Sequence, residues 1–369
     1  MKKEMDRSDK MLFALLAASL KGKFLDLQEN LFLEASDEDW KICRKAAVYH
    51  GVMALAWDGA LLLPEDRQMP HALKLAWGLA VQEYEHRYEY YCQTAQHLSD
   101  FYAAHQVGMM QMKGVGFSTY YPKPCHREGG DIDIWTYSLD PSKMTDQEAN
   151  DLADDLMEQS GIPVNRSYAK HFTFDYQGIH IENHKHFLNR SFPLSIQVDD
   201  LLYKLARPHD VELAGGKFKE KTASLEFYTL FLAFHNFQHY GSGFALHHVM
   251  DWAVLLDNAG LELPEEVQDP YLKRFVGTLT LLTNRYLGTE VPVEGDEELL
   301  ERMVMELLHP VYDQHTPKMS RPKLFLYKTR RLFYRLKQQK DLMGTSILKG
   351  IWTSFMAHLK APDSIFATN

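Results

Sequence analysis

Residues 113–135 read KGVGFSTYYPKPCHREGGDIDIW and place two aspartates one residue apart, directly after two glycines. The residues that follow the glycines have the apolar composition of a strand. Because side chains alternate between the two faces of a strand, we expect Asp131 and Asp133 on one face and the isoleucines buried on the other. Two carboxylates on one face repel each other unless a cation lies between them. The stretch therefore predicts a site for a hard divalent cation, Mg²⁺ or Mn²⁺, completed by phosphate oxygens.

A third carboxylate is expected from residues 171–187, HFTFDYQGIHIENHKHF. Two alternating runs on either side of Gln177-Gly178 indicate a β-hairpin. The second run sets its isoleucines inward and puts Glu182 on the opposite face. An in-line displacement with two metal ions needs the ions ~4 Å apart and bridged by carboxylates. We therefore predict Glu182 as the third ligand, with Asp175 on the partner strand as its substitute.

Residues around the aspartate pair have the chemistry needed to hold phosphates. Gly114 would let the backbone approach a ligand closely, and Lys113 and Arg127 could neutralise a triphosphate. Gly130 permits a tight turn into the strand. A pair of aspartates at a strand edge is by itself as compatible with a solvated surface as with a site. The combination with a glycine turn and flanking cations favours the site.

The histidines allow a second interpretation. His180, His184 and His186 alternate along the predicted strand and could bind a transition metal such as zinc, although histidines of one strand point in parallel rather than around an ion. His235 and His239 are four residues apart on a helix, where they could pack in the core or line a nucleotide pocket.

The pattern along the chain predicts an α+β fold with a small mixed or antiparallel sheet between helical regions. We expect an N-terminal helical region at 1–106, an α+β core at 107–192 and a C-terminal helical domain at 193–369. Strands are predicted within 107–114 and 131–138, and a helix within 144–162.

Composition limits the classes of function. The net charge of −10 argues against a general nucleic-acid-binding surface. Three widely spaced cysteines form neither a disulfide framework nor a zinc pattern, which favours a reducing compartment. The run MLFALLAASL at residues 11–20 imitates a signal peptide, but acids among the preceding lysines favour an amphipathic helix. No stretch approaches the ~18 apolar residues of a membrane span, so we expect a soluble, cytoplasmic protein.

The sequence MKGVGFSTYYPKPCHREGGDIDIW resembles the signature of the uncharacterised nucleotidyltransferase family, which belongs to the DNA polymerase β-like superfamily. That family has a Lys-Gly turn, then Tyr-Pro, then Arg-x-x-Gly-Asp-x-Asp. The segment IENH is similar to its Glu-x-His strand, and HYGSGFALHHVMDWAVLL resembles a further helical segment. The matching positions are Lys113, Gly114, Tyr121, Pro122, Arg127, Gly130, Asp131, Asp133, Glu182, His184, His239, Gly243, Asp251 and Trp252.

The resemblance implies a nucleotidyltransferase fold and Mg²⁺-dependent transfer of a nucleoside monophosphate from a nucleoside triphosphate. Asp131 and Asp133 would bind the metals, and Glu182 would help to activate the acceptor hydroxyl. Lys113, Gly114, Arg127, Gly130 and His184 are the residues expected to bind the nucleotide. The acceptor stays open among a small molecule, a sugar phosphate and a protein side chain.

Two departures from the family pattern, and one basic segment, leave alternatives open. Gly129 stands where the family often has a serine, and His247 where it usually has an arginine. A catalytically silent module that binds a nucleotide or a partner is therefore the second hypothesis. The basic stretch Lys318–Lys340 either docks on the acidic remainder of the chain or binds an anionic partner such as tRNA, an acidic protein or lipid headgroups.

Overall fold

Six strands form one mixed sheet at the centre of the molecule. The computed structural model describes residues 5–25, 28–190, 192–240, 243–312, 319–344, 346–348 and 350–352. The strands are β1 (Val107–Gln111), β2 (Ile132–Ser138), β3 (His171–Tyr176), β4 (Ile179–His184), β5 (His209–Leu213) and β6 (Phe218–Thr222), in the order β3-β4-β2-β1-β6-β5. The predicted α+β class with a mixed sheet flanked by helices is confirmed.

Four helices precede the sheet in the chain: α1 (Arg7–Lys21), α2 (Asp37–Tyr49), α3 (Met53–Leu61) and α4 (His71–Ala103). Helix α1 begins at Asp6, whose side chain accepts from the backbone N–H of Asp9 in a capping box. Every residue from Met11 to Ala18 is buried. The apolar run thus lies in a helix, as predicted, but residues 11–18 are buried on all sides rather than on one face, because α2, α3 and α10 (Pro270–Leu287) surround the helix.

Strand β2 is an inner strand and pairs on both sides. It runs antiparallel to β1 and parallel to β4, and β3 and β4 form the predicted hairpin. Both turn residues have positive φ, +52° at Gln177 and +77° at Gly178, as a tight two-residue hairpin turn requires. The short helix α5 (Val115–Ser118) follows β1 directly.

Helix α6 (Asp146–Gln159) covers one face of the sheet. Thr145 caps it, and Glu148 completes the capping box. Its buried alanines share a hydrophobic cluster with Ile132 and Ile134 of β2. The alternation of β2 then turns the aspartates away from α6, towards the opposite face.

The remaining helices are α7 (Pro193–Leu205), α8 (Leu225–His239), α9 (Leu246–Ala259), α10 (Pro270–Leu287), α11 (Glu297–Leu308) and α12 (Arg321–Met343). Helices α8 to α11 bury a large apolar cluster together with α1. None of the helices in the described part of the chain is long and apolar enough to cross a membrane.

The hairpin β5–β6 corrects the expectation that residues 193–369 are helical. Strand β6 pairs parallel to β1 through Gln111 and Thr222, so the sheet extends beyond residue 192. The division of the chain into three regions stays a prediction. Within the predicted basic segment, Lys318 lies outside the described residues, and the rest forms most of α12, whose Phe325 and Phe333 are exposed.

Candidate active site

The register of β2 and β4 brings three carboxylates together. Asp133 lies directly opposite Glu182 in the parallel pair, and Asp131 immediately precedes β2. One oxygen from each of these three residues lies within 4.8 Å of the others. The structure thus assembles the three acids that the sequence predicts. Asp175, the substitute, does not join them, because it is exposed and contacts Nδ1 of His180 at 3.0 Å.

Lys113 makes this cluster electrostatically asymmetric. Its Nζ lies 3.1 Å from Oδ2 of Asp133. Burial would lower the pKa of Lys113, but the carboxylates of Asp133, Asp131 and Glu182 hold it above its ordinary value. Repulsion from Asp133, together with burial, raises the pKa of Asp131 to about 6. Lys113 is therefore a cation, placed beside the carboxylates as the sequence predicts.

The ring of His184 is buried, with one nitrogen facing the carboxylates and the other facing the backbone just after it. Its Nε2 lies 2.9 Å from Oδ1 of Asp133 and 3.5 Å from Oε2 of Glu182. Its Nδ1 donates to the backbone carbonyl of His186 at 3.1 Å. Burial would raise the pKa values of Asp133 and Glu182, but Lys113 and His184 hold that of Asp133 below its ordinary value. His171 and His184 do the same for Glu182.

His171 belongs to the site and was missed by the sequence analysis. It pairs directly with His184 across the β3–β4 hairpin, and its Nδ1 lies 3.0 Å from Oε2 of Glu182. Counting equal numbers of residues back from the Gln177-Gly178 turn would have identified this pair. The alternative zinc group of His180, His184 and His186 does not form, because His180 lies at the surface with Asp175, and His186 contacts Asp199 at 3.4 Å.

The two glycine turns hold the site in different ways. Gly114 adopts φ +61° and ψ −124°, a conformation that side chains rarely adopt, at the junction of β1 and α5. The carbonyls of Gly129 and Gly130 accept hydrogen bonds from Arg87 and Tyr91 of α4, at 2.6 and 3.1 Å. These contacts fix the segment that leads into Asp131.

Arg127 occupies a different position from the one expected of a triphosphate ligand. Its Nε and Nη2 donate to the two carboxylate oxygens of Asp251 on α9, at 2.9 and 2.7 Å. The hydroxyl of Tyr121 donates to the same carboxylate at 2.6 Å. Three residues that match the family pattern thus form one nearly buried group, which ties the loop before β2 to α9. A direct role of Arg127 in binding phosphate stays a prediction.

Four histidines of α8 and α9 lie near Lys113, on one side of the carboxylate cluster. The rings of His239 and His248 are stacked with centroids 5.2 Å apart, and His235 lies 4.3 Å from His239. Burial, reinforced by Lys113 and Lys170, lowers the pKa of His239 to about 3. Burial also lowers the pKa values of His235 and His248, and His247 lies beside them at 3.9 Å from His248. The histidines are packed against one another, as one prediction has it, and they also lie close to the carboxylate cluster, as a role in lining the nucleotide pocket would require.

Comparison with known proteins gives the family. Residues 36–288, more than half of the chain, match the family described as uncharacterised nucleotidyltransferase. The chain belongs to this family. No curated protein matches it. A crystal structure of an antigenic nucleotidyltransferase-like protein from Paracoccidioides brasiliensis is similar, with 18% sequence identity and a TM-score of 0.39, over 54% of this chain and 93% of that chain.

The segment that matches the nucleotidyltransferase family contains the whole carboxylate cluster. The match spans β1 to β6 and ends at the C-terminal cap of α10, so it includes Asp131, Asp133 and Glu182 as well as Asp251. It leaves out α1, α11 and α12.

Proposed function

We propose that this protein transfers a nucleoside monophosphate from a nucleoside triphosphate to an acceptor hydroxyl, with Asp131, Asp133 and Glu182 holding Mg²⁺ or Mn²⁺. One observation carries the proposal. Three carboxylates, from Asp131 just before β2, Asp133 in β2 and Glu182 in β4, converge within 4.8 Å beside the cation of Lys113, in a chain of the nucleotidyltransferase family. Such a group is suited to phosphoryl chemistry, in which charge stabilisation and positioning supply most of the catalysis.

The donor set fits a hard divalent cation. All three residues offer carboxylate oxygens, the ligands that Mg²⁺ prefers. Oδ2 of Asp133 is buried and finds no hydrogen-bond partner among the described residues, although Nζ of Lys113 lies nearby. The raised pKa of Asp131 reports repulsion between the two aspartates. A cation between them would relieve that repulsion.

The side chains have separate tasks in this proposal. A cation held there would neutralise charge on the phosphates. Lys113 is placed to stabilise the pyrophosphate as it leaves, and Glu182 to orient the acceptor hydroxyl. The bond from the acceptor oxygen to the α-phosphorus forms as the bond to pyrophosphate breaks, and the hydroxyl proton passes to a base at the site. The open backbone at Gly114 would allow the β and γ phosphates to approach closely.

The acceptor is proposed only by class, as a small molecule, a sugar or a protein hydroxyl. The expected compartment is the cytoplasm, supported by three cysteines that are free in the described structure. An anionic partner for α12 remains part of the proposal because the helix is basic on several sides and partly exposed.

Calorimetric titration of nucleoside triphosphates, with and without Mg²⁺, tests the proposal. We expect binding that requires Mg²⁺ and disappears in the double variant Asp131→Asn with Asp133→Asn. Asp175→Asn is the matched control, since Asp175 is an exposed aspartate of the neighbouring hairpin. Binding that persists without the metal, or that survives in the double variant, would instead favour the silent binding module.

Transfer itself is tested by incubating the protein with each α-labelled triphosphate, Mg²⁺ or Mn²⁺, and a cell extract. Label on a metabolite or a protein, absent with Asp131→Asn, would support the reaction and reveal the class of acceptor. Metal-dependent nucleotide binding with no incorporation of label under any of these conditions would contradict it.

A further inference from the structure

A second group of metal-ligating side chains shares Glu182 with the carboxylate cluster. It consists of His171, Glu182 and His184, whose ligand atoms all lie within 4.8 Å of one another. Oε2 of Glu182 is 3.0 Å from Nδ1 of His171 and 3.5 Å from Nε2 of His184. The imidazole rings meet edge to face with centroids 5.2 Å apart. Two nitrogens and one oxygen thus surround a common point.

The ring of His184 is held in an orientation typical of a metal-binding histidine. Its Nδ1 lies 3.1 Å from the backbone carbonyl of His186. Because a carbonyl oxygen can only accept, Nδ1 must carry a hydrogen, and Nε2 is the nitrogen left for the carboxylates or a cation. A backbone carbonyl that fixes the second nitrogen in this way is the usual support of a histidine ligand. The ring is completely buried, so its orientation is fixed.

The ring of His171 directs its Nδ1 to the same point. This nitrogen is buried and lies 3.0 Å from Oε2 of Glu182, without the alignment of a good hydrogen bond. A cation held between the two atoms would replace this poor contact with two ligand bonds. The side chain remains partly exposed, which leaves a path from solvent.

We propose that His171, Glu182 and His184 form a transition-metal position adjoining the carboxylate position. Imidazole nitrogens suit Zn²⁺, Co²⁺ and related ions, whereas Mg²⁺ prefers ligands that are all oxygen. Glu182 would then face both positions, a hard one with Asp131 and Asp133 and a softer one with the histidines. The link to nucleotidyl transfer rests on the proposed function, but the binding of metal at the histidines can be tested without any turnover.

The experiment titrates the metal-free full-length protein with Co²⁺ in the presence of a large excess of Mg²⁺, following the visible absorption of bound Co²⁺. We expect one equivalent to bind despite the Mg²⁺, with its affinity lowered at least tenfold by His171→Gln. His180→Gln is the matched control, because His180 lies in the same hairpin but faces the exposed Asp175 at the surface. Asp131→Asn should also retain Co²⁺.

A further group of potential metal ligands, with one histidine, needs its own control. Glu85, Cys125 and His126 also lie within ligand distance of one another. There both nitrogens of His126 already contact carboxylates, Asp58 at 2.6 Å and Glu85 at 2.9 Å. We therefore expect Cys125→Ser to leave Co²⁺ binding unchanged.

Thermal unfolding provides a second readout and guards against misfolding. Without metal, His171→Gln and the wild type should unfold at similar temperatures, and only the wild type should gain stability with Zn²⁺.

The proposal is overturned if the wild type binds no Co²⁺, if Mg²⁺ displaces it, or if His171→Gln binds it as well as the wild type. Loss of Co²⁺ with Asp131→Asn to the same degree would also overturn it. None of these outcomes depends on nucleotide binding, so the two proposals can fail separately.

Discussion

Asp131 and Asp133 are separated by one residue, yet their carboxyl groups are in opposite electrostatic states. Asp133 is surrounded by cations and donors, with Lys113 at 3.1 Å and His184 at 2.9 Å, and its pKa lies below the ordinary range. For Asp131 the largest influence is repulsion from the charge of Asp133, which raises its pKa to about 6. One member of the pair is thus ionised over a wide pH range, and the other titrates near neutrality.

This difference predicts how cation binding depends on pH. A cation binds the ionised carboxylate, so the affinity for Mg²⁺ should be nearly constant above pH 7 and fall as the pH drops through 6. At pH 5 about a tenth of Asp131 is ionised, and the affinity should be about tenfold lower. Titration calorimetry at pH 5, 6 and 7.5 measures it. Asp131→Asn should bind weakly at every pH, and an affinity of the wild type that does not change with pH would contradict the assignment.

A second prediction concerns the buried pair of Arg127 and Asp251. Asp251→Asn removes the charge that balances Arg127 and leaves a buried guanidinium uncompensated, which costs about 3–5 kcal/mol of unfolding free energy. Urea denaturation followed by tryptophan fluorescence measures the loss. Glu297→Gln, which breaks the exposed pair with Arg285, should change stability little. Equal losses of unfolding free energy in the two variants would show that the buried Arg127 pair contributes no more to stability than the exposed pair.

At the scale of elements, α1 and α3 approach so closely that only glycine fits at position 59. A Cβ added to Gly59 would lie 2.0 Å from the backbone carbonyl oxygen of Leu15. Gly59→Ala must therefore push the two helices apart, and we expect a loss of about 1–3 kcal/mol, as in other overpacked cores. The comparison is Gly78→Ala in α4, where the nearest atoms belong to the movable Trp57 side chain at 3.2 Å. Urea midpoints that fall equally in both would contradict the close contact.

The sequence predicted the elements that carry the three acids because their signals are local. The Gln177-Gly178 turn and the alternation at 131–138 and 179–184 suffice to set Asp131, Asp133 and Glu182 on one face. The β5–β6 hairpin was missed because both strands are short and highly charged, and β5 lies at the edge of the sheet, where charged strands are common. The pairing of Arg127 with Asp251 joins residues far apart in the chain, and no local pattern contains it.

At the scale of the whole molecule, one buried acid should make stability depend on pH. Glu220 of β6 is buried, and its interactions with Gln111 and the backbone N–H of Lys221 only partly offset the loss of hydration. Burial raises its pKa from 4.5 to about 8. In the unfolded chain Glu220 has its ordinary pKa of 4.5. Unfolding between pH 4.5 and pH 8 therefore releases the proton that the folded protein holds. Stability should therefore fall as the pH rises from 4.5 to 8, by about 1.4 kcal/mol per pH unit from this group.

The variant Glu220→Gln isolates that contribution. We expect its urea midpoint to be close to that of the wild type at pH 5 and clearly higher at pH 8.5, because the amide has no charge to bury. The difference between the two proteins at each pH removes the effect of other titrating groups. A difference that stays constant from pH 5 to 8.5 would show that Glu220 ionises at no cost in the folded state.

The pairing of β6 with β1 also matters for how the molecule is made. Every residue of strand β1 is buried, and one of its edges is closed only when Thr222 arrives beside Gln111. A nascent chain on the ribosome would expose that edge until the hairpin has emerged. An expression fragment ending at residue 192 would keep it open permanently, and open strand edges recruit other chains. Truncations meant to isolate the sheet with the carboxylate cluster should therefore extend past β6 to avoid aggregation.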